Sequence, residues 1–276
     1  MNSPVMALLA RNLLKFGRDR MRLFMTLFMS GLFLFAFSFV TRGAGPLVGT
    51  PGGYLVSGVA VMTVFQTALN SSMSMLEDLS GGFLKEILVA PVPRWQVAAG
   101  QILSSMAISA LQGAVVLAMG FFVGLRIDLL HGLLAFLVLL GMGASFGAIG
   151  LYLATVAKES ANFQLLVVLV SLPLTFLSGA YIPAGMMPRF LLPVVWLNPL
   201  TWATASFRYV ALGLEHASSS DLLRAGISFP VGGAVVGPLA GMGIVLALGG
   251  AFLLLSVERF SRADFSRIKI FKRHHR

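Results

Sequence analysis

The side chains able to do covalent or metal chemistry are few and badly spaced for it. The chain has no cysteine and four histidines, His131, His216, His274 and His275. None belongs to an HExxH pattern or sits with a carboxylate pair at ligand spacing, so no zinc site of the usual kind is assembled. No GxxxxGK[ST] phosphate cradle occurs, which excludes a P-loop nucleotide site in this chain. No catalytic residue, metal ligand or bound cofactor is therefore assigned to it, and without thiols there is no disulfide framework.

What remains is a stretch suited to mechanical work. Leu76 to Gln101, LEDLSGGFLKEILVAPVPRWQVAAGQ, is the largest central cluster of acids and bases and lies between two long uncharged runs. Gly81 and Gly82 permit a sharp turn. From Phe83 to Val89 the spacing is helical, with Phe83, Leu84, Ile87 and Leu88 on one side and Lys85 and Glu86 on the other. Pro91 and Pro93 stop that helix, and Arg94 with Trp95 suit the headgroup layer where the next apolar run begins. A two-turn amphipathic helix between a glycine hinge and a proline stop can seat its apolar side in a groove on another protein, or it can lie on lipid.

The elements that must position this stretch are membrane helices. Hydrophobic residues make up 57% of the chain and charged residues 11%, against about 45–50% and about 25% in soluble domains. The intervals without Asp, Glu, Lys or Arg are 23–41, 43–76, 95–125, 129–157, 160–188, 190–207 and 225–257. A bilayer core takes about 20 apolar residues per helix, so all but 190–207 read as spans. The first run is too long for the apolar part of a cleaved leader, about 7 to 15 residues, and is expected to stay in the membrane.

The net charge of +10 points to anionic lipid and not to nucleic acid, because of where the bases fall. Fifteen Lys and Arg lie before the first span, in the central loop, at Lys158 and in the tail from Arg259. Five, Arg42, Arg126, Arg189, Arg208 and Arg224, fall on the other side. That asymmetry predicts both termini in the cytoplasm and an even number of crossings. Residues 190–207, carrying Pro193, Asn198 and Pro199, then read as a helix–turn–helix dipping in and out from the outer face. The spans are expected at 23–41, 54–75, 97–123, 132–156, 161–180 and within 225–257, with Pro173 near the middle of the fifth.

Smaller patterns refine this layout. Val5, Leu9, Leu13 and Phe16 recur at helical intervals against Arg11, Lys15 and Arg18, an amphipathic segment for the inner headgroup layer. Gln66, Thr67, Asn70, Ser71, Ser72 and Ser74 in the second span must face another helix or a cavity; Gln66, Asn70 and Ser71 are candidate pathway lining. Gly143, Gly147 and Gly150, and again Gly233, Gly237 and Gly241, form small-residue strips for close helix contact, within a subunit or between subunits. Tyr181, Trp196, Trp202 and Tyr209 suit an aromatic belt at the outer interface, or the stacking of sugars. Phe260, Phe265, Ile268 and Phe271 among seven tail bases suit an anionic membrane surface. The proposed span interiors hold no Asp, Glu, Lys, Arg or His, which weakens an ion-coupled carrier. Neutral-oxygen sodium sites keep that alternative open, as they do a passive channel.

Two stretches carry a resemblance. EDLSGGFLKEILVAPVPRWQVAAGQIL resembles the loop between the second and third spans of type-2 ABC transporter permeases, the family of daunorubicin-resistance-type and polysaccharide exporters. SGAYIPAGMMPRFLLPVVWLNPLTW is similar to that family's signature before the last span. The resemblance implies an all-α integral membrane permease of one domain over 1–276. It has an amphipathic helix in 1–22, six transmembrane helices, a cytosolic coupling loop at 76–96, an outer re-entrant hairpin at 182–209 and a basic tail at 258–276. It makes Gly82, Phe83, Leu84, Lys85, Glu86, Ile87, Leu88 and Pro91 the ATPase-coupling residues. Tyr181, Pro183, Pro188, Trp196, Asn198 and Pro199 become the outer gate. It further implies two cytosolic ABC ATPase subunits holding ATP and Mg, a second permease copy or related chain, and export of lipids, drugs or glycans from a prokaryotic plasma or inner membrane.

Overall fold

The computed structural model describes residues 4–42, 51–80, 93–157, 159–181, 187–231 and 234–262. The expected coupling residues Gly82 to Pro91, together with Pro183, Gly233 and the tail after 262, lie outside them.

The chain opens with α1 (Pro4–Arg18), which has proline at its first position and Lys15 and Arg18 in its last turn, where they complement the helix dipole. Asp19 separates it from α2 (Arg20–Arg42). α3 (Pro51–Ser71) passes through a one-residue turn at Ser72 into α4 (Met73–Ser80). α5 (Arg94–Gly120) starts directly after Pro93 and runs into a 3₁₀ turn, Phe121–Val123. Gly124 closes that turn at φ 91°, a conformation that favours glycine. α6 (Leu129–Ala157) and α7 (Ser160–Phe176) follow. The outer region holds α8 (Leu192–Leu197), α9 (Pro199–Ala211), α10 (Ser219–Arg224), strands β1 (Phe229–Val231) and β2 (Ala234–Val236), and then α11 (Pro238–Arg262).

Among the described residues, four helical segments are long and apolar enough to cross a bilayer: Gly52–Asp78, Arg94–Val123, Leu129–Ala157 and Pro238–Arg259. Leu23–Ala36 and Ser160–Phe176 are shorter apolar helices.

The helical membrane architecture stands, with two adjustments to the expected layout. Beside the helices, β1 and β2 form a short antiparallel pair in which Phe229 faces Val236. β-branched Val231, Val235 and Val236 favour strand there, and Pro230 breaks helix. The last apolar helix accordingly begins at Pro238 and not near residue 225. Pro173 sits close to the end of α7, which stops at Phe176; Gly179 then turns the chain at φ 75°.

The core gathers around α3, where 89% of the apolar window is buried within the protein. It packs against α2, α5, α6 and α9. Val56, Val64, Phe65 and Leu69 share one buried cluster with Leu139, Met142 and Phe146 of α6, and the Phe65 and Phe146 rings cross edge to face at 4.9 Å. The small residues of α6 make that approach possible. A Cβ at Gly143 would strike Ser109 and Met106, one at Gly147 would strike Ser105, and one at Gly150 would meet the backbone of Ala68 and Leu69. On α11, a Cβ at Gly241 would meet Trp202. These glycines therefore serve contacts inside one chain. In hydrocarbon, helices gain nothing by hiding apolar surface from each other, so close packing of this kind holds the bundle.

Gly147→Leu should destabilise the protein by about 1–3 kcal/mol through overpacking. Gly243→Leu, where a Cβ meets nothing within 4 Å, should be neutral. Unfolding of both variants by titration with a denaturing detergent checks the contrast.

Candidate functional site

Two cavities run end to end along α3. The first, about 410 Å³, lies between α2 and α3. Met25, Met29 and Phe33 form its α2 wall, and Met62, Gln66 and Asn70 its α3 wall. Tyr181 closes the end near Val59 by stacking on Phe33, with ring centroids 5.6 Å apart. Burial pushes the Tyr181 phenol up to about 12, so the ring is neutral at physiological pH. A tie between α2 and α3 within this groove is the Ser30–Thr63 hydroxyl pair at 3.1 Å.

The second cavity, about 330 Å³, is polar and shares Asn70 with the first. Asn12 of α1 and Gln101 and Ser104 of α5 face into it. The Asn12 amide donates to Gln101 Oε1 at 3.2 Å and to Ser104 Oγ at 3.1 Å. The Gln101 amide in turn donates to the Ser71 carbonyl at 2.9 Å. Beside it Arg11 forks onto both carboxylate oxygens of Asp78 at 2.6 and 2.8 Å, and Lys15 lies 3.5 Å from Glu77. The Asp78 hydrogen bond raises the Arg11 pKa, so this cation is permanent. The amphipathic N-terminal helix is thus docked on protein through Asn12 and Phe16, which are buried, and is tied to α4, the helix leading into the 81–92 stretch.

The three candidate lining residues separate in role. Gln66 and Asn70 face the groove, and Asn70 donates back to the Gln66 carbonyl at 2.8 Å. Ser71 lines the second cavity with Asn70, largely buried where α3 meets α5, and its hydroxyl returns to the Ala68 carbonyl. Thr67 donates to Gln112 across the α3–α5 contact.

The expected hairpin region is a helix–turn–helix whose corner is Asn198. Its Oδ1 caps α9 by accepting from Leu200 N at 2.9 Å, and its amide donates to the Leu174 carbonyl at 2.8 Å. Pro199 occupies the first turn of α9, and the Trp196 carbonyl accepts from Trp202 Nε1 at 2.8 Å. Pro188 is exposed, away from the groove. Among the expected gate residues that the structure describes, Tyr181 alone lines the groove with Gln66 and Asn70.

Arg208, reckoned among five bases on the outer side, is 1% exposed, a burial that charge counting does not reveal. Nη1 donates to the Gly179 carbonyl at 2.9 Å and Nη2 to the Ala180 carbonyl at 2.7 Å. Nε donates to Ser57 Oγ at 3.2 Å, and the guanidinium lies 3.4 Å from the centroid of the Tyr54 ring. Its place nine residues after the Pro199 helix start, in the apolar run ASFRYVAL, was the available signal. His131 also differs from expectation: it belongs to the first turn of α6, between Asp128 and Glu215, joining α6 to the loop after α9.

Asn12→Ala and Gln101→Ala should show a coupling of about 0.6–2 kcal/mol in a double-mutant cycle. Detergent unfolding of the two single variants and the double variant measures it.

Comparison with known proteins covers most of the chain. The family model for ABC-2 type transporter matches residues 4–212, from α1 through α9. A protein named as a transport permease, ycf38 of Cyanophora paradoxa, is 29% identical over 175 residues, 62% of this chain and 60% of its own. The inner membrane transport permease YadH of Escherichia coli (strain K12) is 29% identical over 164 residues, 59% of this chain and 63% of its own. One named as a multidrug ABC transporter permease, YbhR of the same strain, is 25% identical over 143 residues, 51% and 39%. The chain spans less than two thirds of the length of each of these three relatives.

Proposed function

The chain belongs to the ABC-2 type transporter family, and from that premise we propose that it is the membrane-spanning permease subunit of an ATP-driven exporter. The groove along α3 is its pathway, lined by Gln66 and Asn70. The cargo is a lipid, a hydrophobic drug or a lipid-linked glycan, and the relative named as a multidrug permease supports that range. Six spans, counting the shorter apolar helices Leu23–Ala36 and Ser160–Phe176, would leave both termini on one side; the excess of Lys and Arg near the span ends supports the cytoplasm as that side and the outer face for the α8–α9 hairpin.

The energy comes from outside this chain. It contains no phosphate cradle, so ATP and Mg belong to two partner ATPase subunits. A second permease copy or related chain completes the complex in a prokaryotic plasma or inner membrane. The stretch Gly82–Pro91 receives the push: Phe83, Ile87 and Leu88 fill a cleft of the ATPase, while Lys85 and Glu86 orient the helix at its rim. Arg11 pairing with Asp78 supports this, because it ties α1 to the helix that leads into that stretch. The observation that carries the reading is the family match, which runs unbroken across the groove, the loop and the hairpin.

Phe83→Asp with Ile87→Asp should leave the protein inserted in the membrane while abolishing ATPase binding and the stimulation of its hydrolysis. Co-purification in mild detergent followed by phosphate release checks both. An ATPase bound and stimulated equally by wild type and variant overturns the coupling assignment. Ion-gradient-driven flux through the lone chain would replace the exporter with a secondary carrier.

A further inference from the structure

Arg208 is a buried cation that pairs with no carboxylate among the described residues. Its guanidinium is met by carbonyl dipoles of the bend that follows α7. The C-terminal end of α7 carries partial negative charge and open carbonyls, and α9 satisfies those carbonyls from one face. Asn198 takes Leu174, Thr201 takes Leu177 at 3.2 Å, and Arg208 takes Gly179 and Ala180. Through Ser57 and the Tyr54 ring the same guanidinium also holds the first turns of α3, and Tyr54 OH donates to the Gly179 carbonyl at 3.1 Å. The approach is tight enough that a Cβ on Gly58 would run into the Ala180 carbonyl.

The residue after Ala180 is Tyr181, which stacks on Phe33 across the end of the α2–α3 groove. We propose that Arg208 is the positioning residue of the outer closure: by fixing the Gly179 and Ala180 carbonyls against α3 it holds the Tyr181 ring over the groove. The proposal rests on the exporter reading for which end faces outward. A planar fork serves this role where an ammonium does not, since several acceptors on three elements must be met at fixed angles.

The chain has no native cysteine, so a single introduced thiol reports access directly. Thr63→Cys lines the groove behind Tyr181, and Ser145→Cys, buried between α6 and α11, reports general loosening. Both are labelled with a charged, membrane-impermeant maleimide applied from the outer side of sealed native vesicles. Arg208→Gln should raise the Thr63→Cys rate at least about five-fold and leave the Ser145→Cys rate unchanged. Arg208→Lys should give a smaller rise, and carries the test if the glutamine variant does not fold. In a Tyr181→Ala background, already fast, either change at position 208 should add nothing. An unchanged Thr63→Cys rate overturns the proposal, as does a rise shared with Ser145→Cys or one that persists in full without the Tyr181 ring. The labelling requires no ATPase, so its outcome is independent of whether an ATPase binds the chain.

Discussion

Buried carbonyls where a helix ends must find donors, and at the end of α7 and in the bend after it that requirement organises the packing of α9 and the start of α3. Leu174, Leu177, Gly179 and Ala180 present oxygens where water is excluded, and an unmet acceptor there costs about 1–3 kcal/mol. The answer comes from α9, whose cap residue and two further side chains reach across to them. This explains why the chain breaks at Asn198–Pro199 and folds back. A continuous helix through 190–211 would carry its donors away from α7, whereas the corner at Asn198 swings Thr201 and Arg208 alongside it. The price of a buried guanidinium is met by carbonyl dipoles, a hydroxyl and an aromatic face, which together replace its hydration.

Near α1 amides solve the same problem. Asn12, Gln101 and the Ser71 carbonyl form a chain of hydrogen bonds that crosses α1, α5 and α3. Beside it glycine sets the spacing: Gly147 and Gly150 bring α6 onto Ser105 and Leu69. α3, held by both polar networks and by these glycine contacts, is the fixed axis of the fold.

Much of this was legible in the residue order and some was not. Long apolar intervals and the Gly143, Gly147 and Gly150 strip announced helices that pack closely, because both signals are local to one helix. Gln66 and Asn70 were recognisable as polar groups needing an inward face. The partners were not recognisable: whether Ser71 lines a path or meets Gln101 depends on α5, thirty residues away. The burial of Arg208 was hidden for the same reason, because three distant elements converge on it. The β1–β2 hairpin was hidden by composition, since Val231, Val235 and Val236 count as apolar in a span and as strand formers in a hairpin. Pro173 looked like a mid-span kink only because the interval was read to Gly179 as one helix.

The two walls of the groove differ in what holds them. On the α3 side, displacement would break the glycine contacts to α6, the Gln101 and Gln112 hydrogen bonds and the Arg208 clamp together. On the α2 side, the buried tie within the groove is the Ser30–Thr63 pair, joined by the Phe33–Tyr181 stack. A hydrogen bond between membrane helices contributes about 0.6 kcal/mol and an aromatic pair about 0.5–1.5 kcal/mol. Those two ties contribute on the order of 1–2 kcal/mol, and α2 adds to them by burying Leu34 in the core cluster. On its exposed face Phe24 stacks on Phe28 with ring centroids 5.9 Å apart. The groove is thus bounded by one wall tied into α5, α6 and α9 and by another seated on the core through Leu34.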